Sequence, residues 1–175
     1  PKAILIEGYV YDIAEGPALA DKAMSLAKQH GTAVALSLSD ALCVERHRDA
    51  FLSAVRDHVD IVVADEDEVA ALLGTEDIES TLAALDGYGN LFAITRSEKG
   101  SVIVQGDERI EQPANYVEQV IDTTGAGDAY CAGFLYGWAN DWPHQQSARL
   151  GTHCATAVIQ QVGARIEPGL LDGFE

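Results

Sequence analysis

Apolar residues along this chain fall into short blocks separated by polar, glycine-marked breaks, and the blocks alternate between two periodicities. Ala3–Ile6 is a short apolar run ending at Glu7-Gly8, which predicts a buried strand. Gly16-Pro17 opens a helix in which Leu19, Ala23, Leu26 and Ala27 recur at helical spacing, and His30-Gly31 closes it. Ala33–Leu38 predicts a second strand. Val44–His58 predicts a helix with Phe51, Leu52 and Val55 on one face. Asp60–Ala64 is a third strand, and Glu66–Leu73 a helix stopping at Gly74. A short helix over Ser80–Leu85 and a fourth strand over Leu91–Thr95 complete this part.

The pattern then changes. Ser101–Gln105 and Arg109–Gln112 flank Gly106-Asp107 and read as a β-hairpin. Ala126–Ala139 is a helix carrying Tyr130, Phe134, Leu135 and Trp138 at apolar spacing, and Ser147–Gln161 is a second, Ala-rich helix ended by Gly163. Strands alternating with helices predict an α/β fold with a parallel sheet and helices on its faces. Ligands in such folds bind beyond the carboxyl ends of the strands, so the chemistry is to be sought there.

Composition narrows the partners. Among 175 residues, Asp plus Glu number 28 against 11 Lys plus Arg, a formal net charge of −17. Such a surface repels a phosphate backbone and argues against nucleic acid as a partner. Cys43, Cys131 and Cys154 are odd in number and form no CxxC spacing, so neither a disulfide framework nor a structural zinc site is expected, and a reducing, cytoplasmic setting fits. No apolar run reaches the ~18 residues of a membrane span. The first residues lack the order of a signal peptide and read as a strand entered in mid-fold; with no initiator Met, an upstream portion is expected.

The segment richest in chemistry is Val120-Ile121-Asp122-Thr123-Thr124-Gly125-Ala126-Gly127-Asp128-Ala129-Tyr130. It runs from an extended piece through small residues directly into a helix. Gly125 and Gly127 let the backbone approach a ligand, and the N–H groups of residues 125–128 at a helix N-terminus would hold an anion. Asp128 sits at the same place. A carboxylate there is badly placed to bind phosphate but well placed to take a proton from a hydroxyl attacking it. Neither GxxxxGK[ST] nor GxGxxG occurs in this stretch, which excludes the commoner phosphate-loop and dinucleotide motifs.

The stretch DTTGAGDAY, residues 122–130, resembles the second signature of the ribokinase (PfkB) family, with Tyr130 for the commoner Phe. The resemblance implies a ribokinase-like sheet flanked by helices, ATP-dependent phosphoryl transfer, Asp128 as base, and Gly125, Ala126 and Gly127 as the anion hole. It extends to Asp60–Glu68, similar to the strand leading into the family's Asn-x-x-Glu motif. Glu68 then matches the Glu that positions Mg2+ through water, and Asp65 stands where Asn is usual. Ala93–Gly100 resembles the strand and turn near the nucleotide, making Thr95, Ser97 and Gly100 contact candidates, with Gly commoner than Ser at 97. Asp122 and Thr124 match positions that bind a monovalent cation such as K+ in several relatives, with loop 158–163 supplying carbonyls. His153 lies on the helix that lines the adenine pocket in relatives, where a packing role is the alternative, and Thr124 adjoins the phosphates.

Two further stretches, Glu7-Gly8-Tyr9 and Ser37–Arg48, resemble bacterial members labelled adenosine kinases. They favour a nucleoside over a free sugar as acceptor, a ketose or sugar acid being the alternative. Arg46, His47 and Arg48 are read as a solvated cluster, with a phosphate-facing role as the alternative. Relatives of this family are roughly twice as long. The resemblance therefore makes residues 1–175 a C-terminal nucleotide-binding part without the N-terminal lid region, with weak turnover by itself. An exposed sheet edge invites self-association, a homodimer in the simplest case.

Overall fold

The computed structural model describes residues 1–166, 169–171 and 174. Six strands form one sheet in the order β1-β2-β3-β4-β5-β6: Ala3–Glu7, Ala33–Ser37, Ile61–Asp65, Leu91–Thr95, Ser101–Gln105 and Glu108–Gln112. The first three are parallel, Leu5 pairing with Ala35 and Ala35 with Ile61. Six helices flank the strands: α1 (Gly16–Gln29), α2 (Ala41–Asp57), α3 (Glu66–Leu73), α4 (Ile78–Ala84), α5 (Ala126–Ala139) and α6 (His144–Val158). The chain divides into two compact units. One holds Pro1–Ile94 with Val104–Arg109, the other Thr95–Ile103 with Ile110–Glu175.

In the first unit the apolar runs are buried as their period demands. Residues 61–64 of β3 and 34–36 of β2 are all buried, as strands covered on both faces must be. Phe51 of α2 and Leu72 of α3 are fully enclosed. The helix boundaries correct the sequence reading at α2. Asp40, extended at φ −172, accepts hydrogen bonds from the amides of Leu42 and Cys43, so the helix begins at Ala41 and not at Val44. Asp77 likewise starts α4 two residues before Ser80. A short 3₁₀ turn, Gly8–Asp12, follows β1 and was not anticipated, because Tyr9, Val10 and Tyr11 carry no turn signal.

In the second unit α5 and α6 pack closely through small residues. A Cβ added to Gly133 would come within 2.9 Å of the Gly151 Cα, and one on Gly137 within 2.9 Å of the Ser147 Cα. Helix axes this close gain dispersion contacts along the whole seam. Ala129, Leu150, Cys154 and Val158 form its buried centre. α6 runs from His144 to Val158, three residues earlier at each end than Ser147–Gln161, because Pro143 provides its start. All three cysteines are buried, and none is in a disulfide. Among the described residues no helix is long and apolar enough to cross a membrane.

Candidate active site

In the second unit the turn before α5 is built by Asp122. One carboxylate oxygen accepts from the Thr124 amide at 2.9 Å and the other from the Gly163 amide at 3.0 Å. The Thr124 side chain and these amides hold the carboxyl below the usual carboxylate range. The amides of Ile121 and Asp122 both reach the Ile159 carbonyl, so the strand-like entry is tied to the end of α6. Asp122 and the 158–163 loop thus close one turn together, and the candidate cation ligands here already serve as its fastenings.

Gly125 follows with φ +78, a left-handed position that costs an L side chain about 1–2 kcal/mol. An added Cβ would also strike the Ala164 Cβ. From this cap α5 starts, with Ala126, Gly127 and Asp128 as its first turn. The Ala126 amide donates to the Thr123 carbonyl at 3.1 Å. Among the described residues the amides of Gly125, Gly127 and Asp128 have no acceptor, as the first turn of a helix leaves them. Ala126, expected in the hole, is therefore turned inward by the turn itself. Asp128 is exposed, and a Cβ on Gly127 would meet nothing within 4 Å. Tyr130 is buried, and its hydroxyl donates to the Ser101 hydroxyl at 2.8 Å, fixing the first turn of α5 to β5.

Thr95 ends β4, Ser97 sits in the following 3₁₀ turn, and Gly100 precedes β5. Gly100 has φ +90 and lies against the Gln112 carbonyl, so its glycine is demanded by the hairpin. Ser97 has φ +50. That explains a preference for glycine there without invoking a ligand. Ser97→Gly is expected to raise stability by up to about 1 kcal/mol, the released strain being partly offset by glycine's larger unfolded entropy. Denaturant midpoints measure it; a lowered midpoint would give the serine side chain a role of its own.

His153 is engaged on α6. Its Nε2 lies 3.2 Å from the Leu170 carbonyl, and its ring is 5.2 Å from that of Phe174, which also stacks on Trp142 and lies under Arg149. The packing alternative describes its contacts here.

In the first unit the carboxyl ends of β1, β2 and β3 carry a connected acidic group. Asp65 and Glu68 form a reciprocal capping box at the start of α3. Asp65 accepts from the Glu68 amide at 2.8 Å, and Glu68 accepts from the Asp65 amide at 2.9 Å. This box takes one oxygen of each carboxylate. Sequence reasoning missed the rest of the group. The Ser39 hydroxyl donates to Glu7 at 3.1 Å and accepts from the Gly8 amide at 2.9 Å, while the Tyr9 hydroxyl donates to Asp40 at 3.2 Å. Ser39-Asp40 ahead of a helix was the available signal, as an N-cap pair.

Glu68 is only 8% exposed. Burial pushes its carboxyl up to about 7, with Asp65, Asp40 and Glu7 adding repulsion and the Asp65 amide pulling the other way. The unfolded chain releases this proton near 4.5. Folding is thus favoured by this group below about pH 4.5, and the contribution is lost as pH rises to about 7. Glu68→Gln keeps an acceptor for the Asp65 amide and removes the titration. It is expected to be more stable than the parent at pH 8, by roughly 3 kcal/mol at most, and to converge with it near pH 4. Urea unfolding at the two pH values tests this; parallel pH profiles would show that Glu68 is charged in the folded chain throughout.

The basic cluster is exposed at Arg46 and Arg48, as expected, and its members are paired. Arg46 forms a two-pronged pair with Asp12 at 3.2 and 2.7 Å, His47 approaches the same carboxylate at 2.8 Å, and Arg48 donates to the Leu72 carbonyl at 2.8 Å.

Residues 2–169 match the family described as pfkB family carbohydrate kinase. A cytidine kinase of Thermococcus kodakarensis is 36% identical over 121 residues, which are 67% of this chain and 43% of that protein. Adenosine kinase from Sinorhizobium meliloti is similar in structure with a TM-score of 0.93 at 42% identity, over 97% of this chain and 52% of that one. A probable sugar kinase from Rhizobium etli CFN 42 has the same TM-score at 38% identity and the same coverage. The chain spans about half the length of these relatives. The expected sheet with flanking helices is borne out by the structural likeness.

Proposed function

Since the chain belongs to the pfkB family of carbohydrate kinases, we propose that it carries the phosphoryl-transfer part of an ATP-dependent kinase acting on a hydroxyl of a nucleoside or sugar, adenosine-like acceptors being favoured. The observation that carries this reading is the first turn of α5. There, among the described residues, the amides of Gly125, Gly127 and Asp128 have no acceptor, and the Asp128 carboxylate stands exposed in the same turn. Amides so placed stabilise the charge spread over a transferring phosphoryl group, aided by the helix dipole. Asp128 accepts the proton of the attacking hydroxyl. The likeness to an adenosine kinase at 42% identity and to a cytidine kinase at 36% supports a nucleoside acceptor.

Asp65 and Glu68 are the residues that would hold Mg2+, through water. Their fit rests on hard oxygen donors and on the second oxygen that the capping box leaves to each. The ion would neutralise charge on the phosphates. Thr95, Ser97 and Gly100 border the nucleotide, and Asp122 with Thr124 would adjoin a K+ ion if one is used.

Calorimetric titration of the folded chain with ATP and Mg2+ tests the reading, and micromolar binding is expected. A chain shown to be folded by circular dichroism that takes up no nucleotide would mean either that residues outside this chain complete the site or that the DTTGAGD segment is only a helix cap. Binding without turnover, even in a polypeptide of the relatives' length, would instead identify a nucleotide-binding module.

A further inference from the structure

We propose that Asp12, Cys43 and His47 form a binding site for one thiophilic divalent cation, with Zn2+ the best match, separate from the phosphoryl-transfer residues. The three come from two elements of the first unit: Asp12 ends the 3₁₀ turn after β1, and Cys43 and His47 lie one turn apart on α2. One ligand atom from each, a carboxylate oxygen, the thiol sulfur and an imidazole nitrogen, lies within 4.8 Å of the others. Around a tetrahedral Zn2+ such atoms stand about 3.3–3.8 Å apart, so the set needs to contract by about 1 Å, within reach of side-chain rotation. A mixed S, N, O set selects zinc-like ions over Mg2+ or Ca2+, which take oxygen.

Two features of the local structure favour this assignment. α2 leaves helical geometry at His47, with φ −119 and ψ 20, although Ala41–Asp57 contains neither proline nor glycine to cause a kink. The departure occurs at the residue whose imidazole meets Asp12, with Nε2 at 2.8 Å from Oδ1. Cys43 is fully buried; its Sγ makes a long contact to the Gly8 carbonyl at 3.6 Å and also faces the Arg46 guanidinium. Arg46 donates to the other Asp12 oxygen at 2.7 Å and would remain there, orienting the ligand carboxylate from outside. Asp12 is exposed, which opens the path from solvent. On binding, the cation replaces the His47–Asp12 hydrogen bond and displaces the Cys43 thiol proton to solvent. Burial holds that thiol above its ordinary range, so affinity must rise with pH.

The test is titration of the reduced full chain with Co2+, followed by displacement with Zn2+. One equivalent should bind with a thiolate-to-cobalt charge-transfer band. Zn2+ should abolish the band, while Mg2+ in excess should leave it. Cys43→Ser should remove the band, Cys131→Ser and Cys154→Ser should keep it, and His47→Gln should weaken binding by about 100-fold, at the upper end of what loss of even an outer partner costs. A folded wild-type chain without the band, or a folded Cys43→Ser chain that retains it, overturns the proposal. Should Cys43→Ser fail to fold, His47→Gln decides, since unchanged affinity in that variant also overturns it.

Discussion

Asp128→Asn is expected to lower turnover by about 10²–10⁴-fold, the usual contribution of a positioned general base. It should leave nucleotide affinity unchanged or slightly tighter. The reason is the position of the side chain. Asp128 is the third residue of α5 and exposed, so its amide and its carboxylate serve the same turn with opposite electrostatics. The amide attracts phosphate and survives the substitution. On the proposed reading the carboxylate repels phosphate and acts on the incoming hydroxyl, so its neutralisation would remove the proton acceptor and relieve a repulsion. Neither the fold nor the cap depends on it, because the cap is Gly125. Kinetics and calorimetry in a polypeptide of the relatives' length separate the effects. Turnover that survives would transfer the role of base to another group, and a parallel loss of affinity would make Asp128 a binding residue.

Gly125 and Gly127 stand two positions apart and should fail for different reasons. Gly125→Val meets a left-handed φ of +78 and the Ala164 side chain. The backbone term alone costs about 1–2 kcal/mol, and overpacking typically adds about 1–3 kcal/mol. The variant should therefore melt early and loosen the link between Asp122 and Gly163. Gly127→Val meets open space and ordinary dihedrals. It should lose only the few tenths of a kcal/mol of a β-branched residue in a helix, or gain against glycine. Its Cβ branches nonetheless project where the phosphate would approach. Thermal melts should separate the two variants, and nucleotide titration should unite them. A Gly127→Val chain that binds ATP as well as the parent would move the anion away from the α5 N-terminus.

Much of this was legible in the sequence, for definable reasons. The apolar runs 61–64 of β3 and 91–94 of β4 are uninterrupted and bounded by polar residues, and α3 was read with its observed bounds because Asp65, Glu68 and Gly74 supply both caps. The DTTGAGD turn was legible as a local motif whose parts lie close in sequence. What escaped depends on contacts across long separations. Ser39 meets Glu7 from 32 residues away, and His47 meets Asp12 from 35. No periodicity reports such pairs. The inward turn of the Ala126 amide escaped for another reason, since it depends on the dihedrals chosen at Thr123 to Gly125, which residue identities leave open. Ser97 read as a contact candidate because Ala93–Gly100 resembles the strand and turn near the nucleotide; its positive φ, which favours glycine, depends on the fold of that turn.

Asp65 caps α3, and on the proposed reading it would also hold a cation through water; exchanging one group would separate the two roles. As the cap of α3 it uses a single oxygen, on the Glu68 amide, and Asn caps a helix about as well as Asp. An Asp-to-Asn exchange is thus nearly invisible to the helix, yet it turns the second oxygen into an amide donor. Where aspartate stands, the position offers a cation an anionic ligand; where asparagine stands, it offers a phosphate oxygen a hydrogen bond. If Asp65 holds a cation as proposed, a single base change there would alter how metal and protein share the nucleotide while leaving the α3 cap in place.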